Sequence, residues 1–297
     1  MIQRQFRKYA GAGNDFVILD AVSKPIEIQG EALEAFVQKA CARESGLGSD
    51  GLILLEKSDR AAFAMRFFNP DGSYGALCGN GSRCAVQAAF DERIISGNTT
   101  EFEVLGAINH AKILSDQQVR VFFQDPKFSK LNFKIRIGKK DFVTSSYVDL
   151  GSQHTVTFFE DLFPFSGGTI GTFDMTRFGS VLRWHPDLQP VGANANFAQI
   201  QQDDQGPYIR IRTFERGVEG ETLACGTGCM STAIIAYLSS RIKDVPIRLK
   251  TQSGEFVQVN FTYSGNLVTN LSLEGSAIRG IQGVIEFDEV SGKLGLG

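Results

Sequence analysis

Histidine and tryptophan are scarce in this chain, with three of the first and one of the second among 297 residues. His110, His154 and His185 form neither an H-x3-H nor an HExxH pattern, so the usual sequence signs of a catalytic metal are missing. No apolar run approaches the length that crosses a bilayer; "GLILLE" at 51–56 is strand-sized. The opening "MIQRQFRKYAGAGNDF" lacks the apolar core of a secretory signal. Neither sign of charge dominates: 30 Lys and Arg stand against 33 Asp and Glu, and the basic residues are scattered. That excludes the footprint of a nucleic-acid binder and a polybasic membrane patch. A soluble, cytoplasmic protein is expected, acting on a small molecule without nucleic acid or membrane as partner.

Cysteine is also limited, to five residues, an odd number that does not suggest a secreted disulfide framework. Cys41 shares one helical face with Leu33, Phe36, Val37 and Ala40 and reads as a small core residue. The other four fall as Cys78 with Cys84 and Cys225 with Cys229. Their C-x5-C and C-x3-C spacings match neither a zinc knuckle nor the C-x-x-C of a thiol-disulfide oxidoreductase. Cys84 and Cys229 lie inside predicted helices and are expected to serve packing.

What the chain has in quantity is phenylalanine (24) and glycine (32), and 42% of its residues are hydrophobic. Strand patterns recur at 4–10, 15–20, 62–68, 118–123, 208–214 and 254–261, separated by Gly, Asn, Asp and Ser. Helical periodicity is rarer: about 30–43, after Cys78, about 174–185 and after Cys225. Many strands with few helices reads as an α+β fold.

Two segments repeat. "CGNGSRCAVQAAF" from Cys78 and "CGTGCMSTAIIAY" from Cys225 each read Cys-Gly-polar-Gly followed by a helix, about half a chain apart. Duplicated halves are expected, 1–126 and 127–276, with a final strand in 277–297 returning to the first. A helix start offers backbone N–H groups without internal partners and a partial positive charge. Glycines let a ligand approach that backbone closely. Each repeat is therefore a seat for a carboxylate. The same field is expected to lower the pKa of the adjacent thiol. Two such thiols on one α-carbon could invert an amino acid, one removing a proton and the other returning one. No metal or cofactor is needed for that step. A binding protein without chemistry would not need both thiols.

Five further segments carry a resemblance. "KYAGAGNDFVILD" (8–20), "GLGSDGLILLE" (46–56), "FFNPDGSYGALCGNGSRC" (67–84), "GANANFAQI" (192–200) and "IRTFERGVEGETLACGTG" (211–228) make the chain similar, almost end to end, to the diaminopimelate epimerase family. The resemblance implies two pseudo-symmetric halves, each a mixed sheet or barrel around a central helix, with the site between them. It implies cofactor-independent conversion of LL-diaminopimelate to the meso form, in lysine and peptidoglycan-precursor biosynthesis, by an expected homodimer. Cys78 and Cys225 would be the acid/base pair. Gly79, Asn80, Gly226 and Thr227 would cradle the reacting carboxylate. Asn14, Asn69, Asn194, Glu215 and Arg216 would hold the rest of the substrate. Taken without the resemblance, Asn14 and Asn69 read as turn formers and Glu215–Arg216 as a solvated pair.

One segment departs. The family usually has Gly-Asn-Pro-His where this chain has Gly151-Ser152-Gln153-His154. Ser152 takes the place of a substrate-binding Asn, and His154 is expected to support the site. A hydroxyl reaches less far than an amide and makes fewer bonds. The same chemistry on proline, hydroxyproline or glutamate is the alternative this substitution raises.

Overall fold

The computed structural model describes residues 2–75, 78–288 and 292–295. The chain forms two compact units, Met1–Phe122 with Gly275–Gly297, and Phe123–Glu274. No helix among the described residues is long and apolar enough to cross a membrane.

The first unit opens with a hairpin of β1 (Ile2–Gly11) and β2 (Asn14–Asp20). Its two-residue turn, Ala12 and Gly13, has positive φ at both positions, the geometry that matches the twist of paired strands. Helix α1 (Gly30–Cys41) buries Leu33, Phe36, Val37, Ala40 and Cys41, the face its periodicity marks out. Strand β3 (Leu52–Glu56) then runs parallel to β2, and β4 (Phe63–Phe68) antiparallel to β3. Helix α2 (Gly79–Asp91) follows, then β5 (Thr99–Val104) parallel to β4, and β6 (Ala107–Ser115) and β7 (Gln118–Phe122) in antiparallel succession.

The second unit repeats these moves. Strands β8 (Phe128–Arg136), β9 (Phe142–Asp149) and β10 (Gln153–Phe158) pair antiparallel in turn. Helices α3 (Phe159–Ser166) and α4 (Met175–Arg183) stand where α1 stands in the first unit. Strand β11 (Asn194–Asp203) is parallel to β10 and β12 (Gly206–Glu215) antiparallel to β11, with the short β13 (Gly220–Thr222) folded back on β12. Helix α5 (Gly226–Leu238) precedes β14 (Ile247–Lys250), parallel to β12, and then β15 (Phe256–Ser264) and β16 (Leu267–Ser276). The chain rejoins the first unit as β17 (Ile278–Phe287), antiparallel to β1, with β18 (Leu294–Gly295) beyond it. Strand β17 stands beside β1 as β8 stands beside β9, so the repeat extends through the whole topology.

Helices α2 and α5 are the centres of the two units. Residues 80–89 of α2 and 228–236 of α5 are buried without interruption. A helix buried on all sides has sheet around it rather than beneath it. Helix α2 packs against β1, β2, β3, β4, β6 and β7, and α5 against β9, β10, β11, β12, β14 and β15. Cys84 and Cys229 lie in these buried faces. The buried Arg83 of α2 directs its guanidinium to the Ser276 carbonyl and to Asn80 Oδ1, which satisfies donors that burial would otherwise leave costly.

Helix α3 has no counterpart among the helices expected from periodicity. It is eight residues long, contains Pro164, and follows directly on β10 at Phe158–Phe159. Helix α4 starts on the Asp174 side chain, which accepts from the Arg177 N–H, and stops at Arg183. The second unit begins at Phe123, whose N–H donates to the Leu271 carbonyl, a few residues before the expected boundary at 126/127.

Candidate active site

In the first unit the chain leaves β4 through a tight turn. The Asn69 N–H donates to the Ser73 carbonyl, and the Asn69 amide donates to Ser73 Oγ at 3.0 Å. Cys78 then takes the N-cap of α2, in extended backbone, and its Sγ accepts from the Gly81 N–H at 3.4 Å. Gly79 and Asn80 form the first turn, where backbone N–H groups have no partner within the helix. A polar chain pins this turn. Asn80 Nδ2 donates to Asn14 Oδ1 at 2.8 Å, and Asn80 Oδ1 accepts from Arg83. Asn14 Nδ2 in turn donates to Asp50 Oδ2 at 3.1 Å, and Asp50 pairs with Arg43. Asn14 and Asn80 thus form one connected group with Cys78 at its edge. Asp50 and Arg43 belong to it, although no motif marked them beyond the quoted "GLGSDG".

In the second unit Cys225 is the N-cap of α5, and it is only 7% exposed. The Thr227 hydroxyl lies 3.5 Å from its sulfur, and Gly226 and Thr227 form the first helical turn. A Cβ on Gly228 would lie 2.4 Å from Asn196 Oδ1, so glycine is what lets α5 settle onto β11 and β12. Burial pushes the Cys225 thiol well above its ordinary pKa, and the nearby Glu215 carboxylate adds to the rise. This corrects the expectation of a lowered thiol pKa at both helix starts: at Cys225 desolvation outweighs the helix field. Glu215, at the end of β12, is itself held above the usual carboxylate range by burial, although the Thr222 hydroxyl donates to it at 2.9 Å.

The segment that departs from the family pattern joins a second cluster in this unit. Asn194, at the start of β11, donates to Ser152 Oγ and to the Gln153 carbonyl, both at 3.0 Å. Its Oδ1 accepts from the Arg216 N–H at 2.8 Å. The Arg216 guanidinium donates to Gln153 Oε1 at 2.8 Å. His154 lies beneath them with no exposed surface. It is ringed by Ser152, Asn194 and Asn196, and burial followed by the charge of Arg216 lowers its pKa to about 3. Ser152, Asn194 and Arg216 are therefore joined by hydrogen bonds, with Glu215 next in the chain and acting on Cys225, while in the first unit Asn14 and Asn80 are joined and Asn69 bonds to Ser73. Sequence reading gave no site role to Gln153, Asn196 or Thr213, whose contacts come from pairing across β10, β11 and β12. Among the described residues no three His, Cys, Asp or Glu side chains gather as metal ligands would.

A protein from Aquifex aeolicus (strain VF5) named diaminopimelate epimerase is 38% identical over 265 residues, covering 87% of this chain and 90% of its own. The chain belongs to the diaminopimelate epimerase family. The family's own model matches residues 6–128. A second member, from Hydrogenobaculum sp. (strain Y04AAS1), is 34% identical over 287 residues, 95% of this chain and 98% of the relative. Solved structures share the fold at lower identity. A phenazine biosynthesis protein of the PhzF family from Bacillus anthracis superposes with a TM-score of 0.73 at 14% identity, covering 97% of this chain and 100% of that one. A hydroxyproline epimerase from Agrobacterium vitis gives 0.67 at 17% identity, covering 98% and 94%. The fold of this chain is thus shared with proteins of far lower sequence identity.

Proposed function

We propose that this diaminopimelate epimerase family member converts LL-diaminopimelate to the meso form with Cys78 and Cys225 as the two acid/base groups. The observation that carries the reading is the repeated helix start. In each unit a cysteine is the N-cap of a 13-residue buried helix that opens Gly-x-Gly. Nothing in packing alone requires a thiol at both places.

The chemistry follows from that arrangement. The substrate carboxylate sits on the N–H groups of Gly79, Asn80, Gly226 and Thr227, where helix dipoles favour negative charge. One sulfur, as thiolate, takes the α-hydrogen as a proton. The electron pair left on carbon spreads into the carboxylate, which the helix starts stabilise. The other sulfur, as thiol, gives a proton to the opposite face. The product is the inverted centre, and the two sulfurs have exchanged roles. Cys225, held protonated by burial and by Glu215, rests as the acid. Asn14, Asn69, Asn194, Ser152, Glu215 and Arg216 hold the second amino-acid centre. Arg216 suits a carboxylate and Glu215 an ammonium. The step uses no cofactor.

The same reading places the protein in the cytoplasm, where five thiols persist, and makes it a homodimer. The apolar residues Ile278, Ile281 and Val284, exposed on β17, support self-association. Sedimentation of the purified chain at monomer mass would remove the dimer. The decisive experiment is incubation with LL-diaminopimelate in heavy water. Meso product carrying deuterium at the inverted carbon is expected. Exchange into proline, hydroxyproline or glutamate in its place would keep the chemistry and overturn the substrate.

A further inference from the structure

Ser152 stands where the family usually carries Asn, and its surroundings decide what its hydroxyl can do. Two amide orientations are forced by neighbours of single polarity. Asn196 Nδ2 lies 2.8 Å from the Thr155 carbonyl, an acceptor only, so nitrogen and not oxygen must face it. Asn194 has its oxygen 2.8 Å from the Arg216 N–H, a donor only, and its nitrogen 3.0 Å from the Gln153 carbonyl. Neither amide can flip without losing these bonds.

The imidazole of His154 is then determined. Its Nδ1 lies 3.2 Å from Asn196 Nδ2, which can only donate, so Nδ1 must accept and carries no proton. Burial and Arg216 keep the ring neutral. The ring's one proton is therefore on Nε2, 3.2 Å from Ser152 Oγ; Asn194 Nδ2 also lies 3.4 Å from Nε2, but its two hydrogens go to the Gln153 carbonyl and Ser152 Oγ, so it does not require Nε2 to accept. Ser152 Oγ accepts from that N–H and from Asn194 Nδ2 at 3.0 Å. A serine oxygen has two lone pairs, and both are now engaged. Its own proton is left with no acceptor in this ring of groups, and the side chain is partly exposed.

We propose that His154 is a positioning residue that makes Ser152 an obligate hydroxyl donor, aimed at a carboxylate oxygen of the substrate's second amino-acid centre. An asparagine can present a donor or an acceptor there; this serine presents only a donor. It works on the same side as Arg216, which Asn194 and Gln153 tie to it. The subsite therefore favours an anionic oxygen and disfavours an ammonium. This rests on the epimerase reading of the site.

The test joins a spectroscopic and a kinetic readout. Nitrogen-15 spectra of the imidazole in the unaltered protein should show a neutral ring protonated at Nε2 from pH 5 to pH 8. A ring protonated at Nδ1, or an imidazolium in that range, would overturn the proposal. In kinetics, Ser152→Ala should raise KM for LL-diaminopimelate about 10- to 100-fold with kcat within about threefold, as expected for one hydrogen bond to a charged group. Ser152→Thr keeps the hydroxyl and should restore KM, and His154→Gln keeps a donor at the Nε2 position and should hold KM within about threefold. An unchanged KM in Ser152→Ala would remove the donor role. Wild-type protein that exchanges no deuterium into diaminopimelate would instead overturn the functional reading, and the imidazole spectrum would still decide the polarity of the hydroxyl.

Discussion

Cys78 and Cys225 occupy the same place in two units of one topology, yet their surroundings differ. Cys78 is half-buried and accepts a backbone N–H from its own helix turn. Cys225 is buried beside Glu215, and its thiol is held protonated. The support of the two turns differs as well. In the first unit it runs through charge, from Arg43 and Asp50 to Asn14, Asn80 and Arg83. In the second it is largely neutral, built from Ser152, His154, Asn194, Asn196 and Thr213. The two units share the Cys-Gly-x-Gly helix start and differ in what holds it. Identical residues at a helix start do not make identical acids, because burial and neighbours set the pKa.

The largest effect should come from breaking the pair itself. Cys78→Ala and Cys225→Ala should each lower kcat by about 10²- to 10⁴-fold, the usual contribution of one general acid or base. Full activity in either variant, measured by deuterium incorporation, would take that residue out of the mechanism.

A second prediction sharpens the difference between the sulfurs. In the absence of substrate, Cys225 should be alkylated by iodoacetamide at least about tenfold more slowly than Cys78 at pH 8, because only thiolate reacts. Its rate should still be climbing above the ordinary thiol range. Glu215→Gln removes a buried carboxylate and should speed alkylation of Cys225 while raising KM for the substrate. Mass-resolved labelling of the two peptides gives both rates, and equal rates would contradict the contrast.

A third prediction concerns stability. His154 is neutral in the folded chain, with a pKa near 3 against an ordinary value of 6.5. Between those values the unfolded chain binds the extra proton, so stability falls as pH drops from about 6.5 toward 3, by up to about 1.4 kcal/mol per pH unit. His154→Gln should flatten that part of the curve in chemical denaturation. An unaltered slope would mean that the ring titrates normally.

Helix α1 was legible because its apolar residues recur on one face, and the six strand patterns lie within β1, β2, β4, β7, β12 and β15 to within a few residues. Those signals are local, set by backbone period and by turn residues. Helix α3 was not legible, since Phe158 and Phe159 continue the apolar character of β10 into it. Nor was the network around Ser152. Its members come from 152–155, 194–196 and 213–216, and they meet only when β10, β11 and β12 pair.

The residues by themselves determined the α+β class, the doubled Cys-Gly-x-Gly helix starts and the family to which the chain belongs. Each is written in a few consecutive positions. The folded chain alone decided that Cys225 is a buried thiol held above its ordinary pKa, that His154 lies below the surface, and that Ser152 and Asn194 close over it in one hydrogen-bonded network. Those properties depend on desolvation and on the polarity of neighbours, and both arise when strands distant in sequence close around the helix.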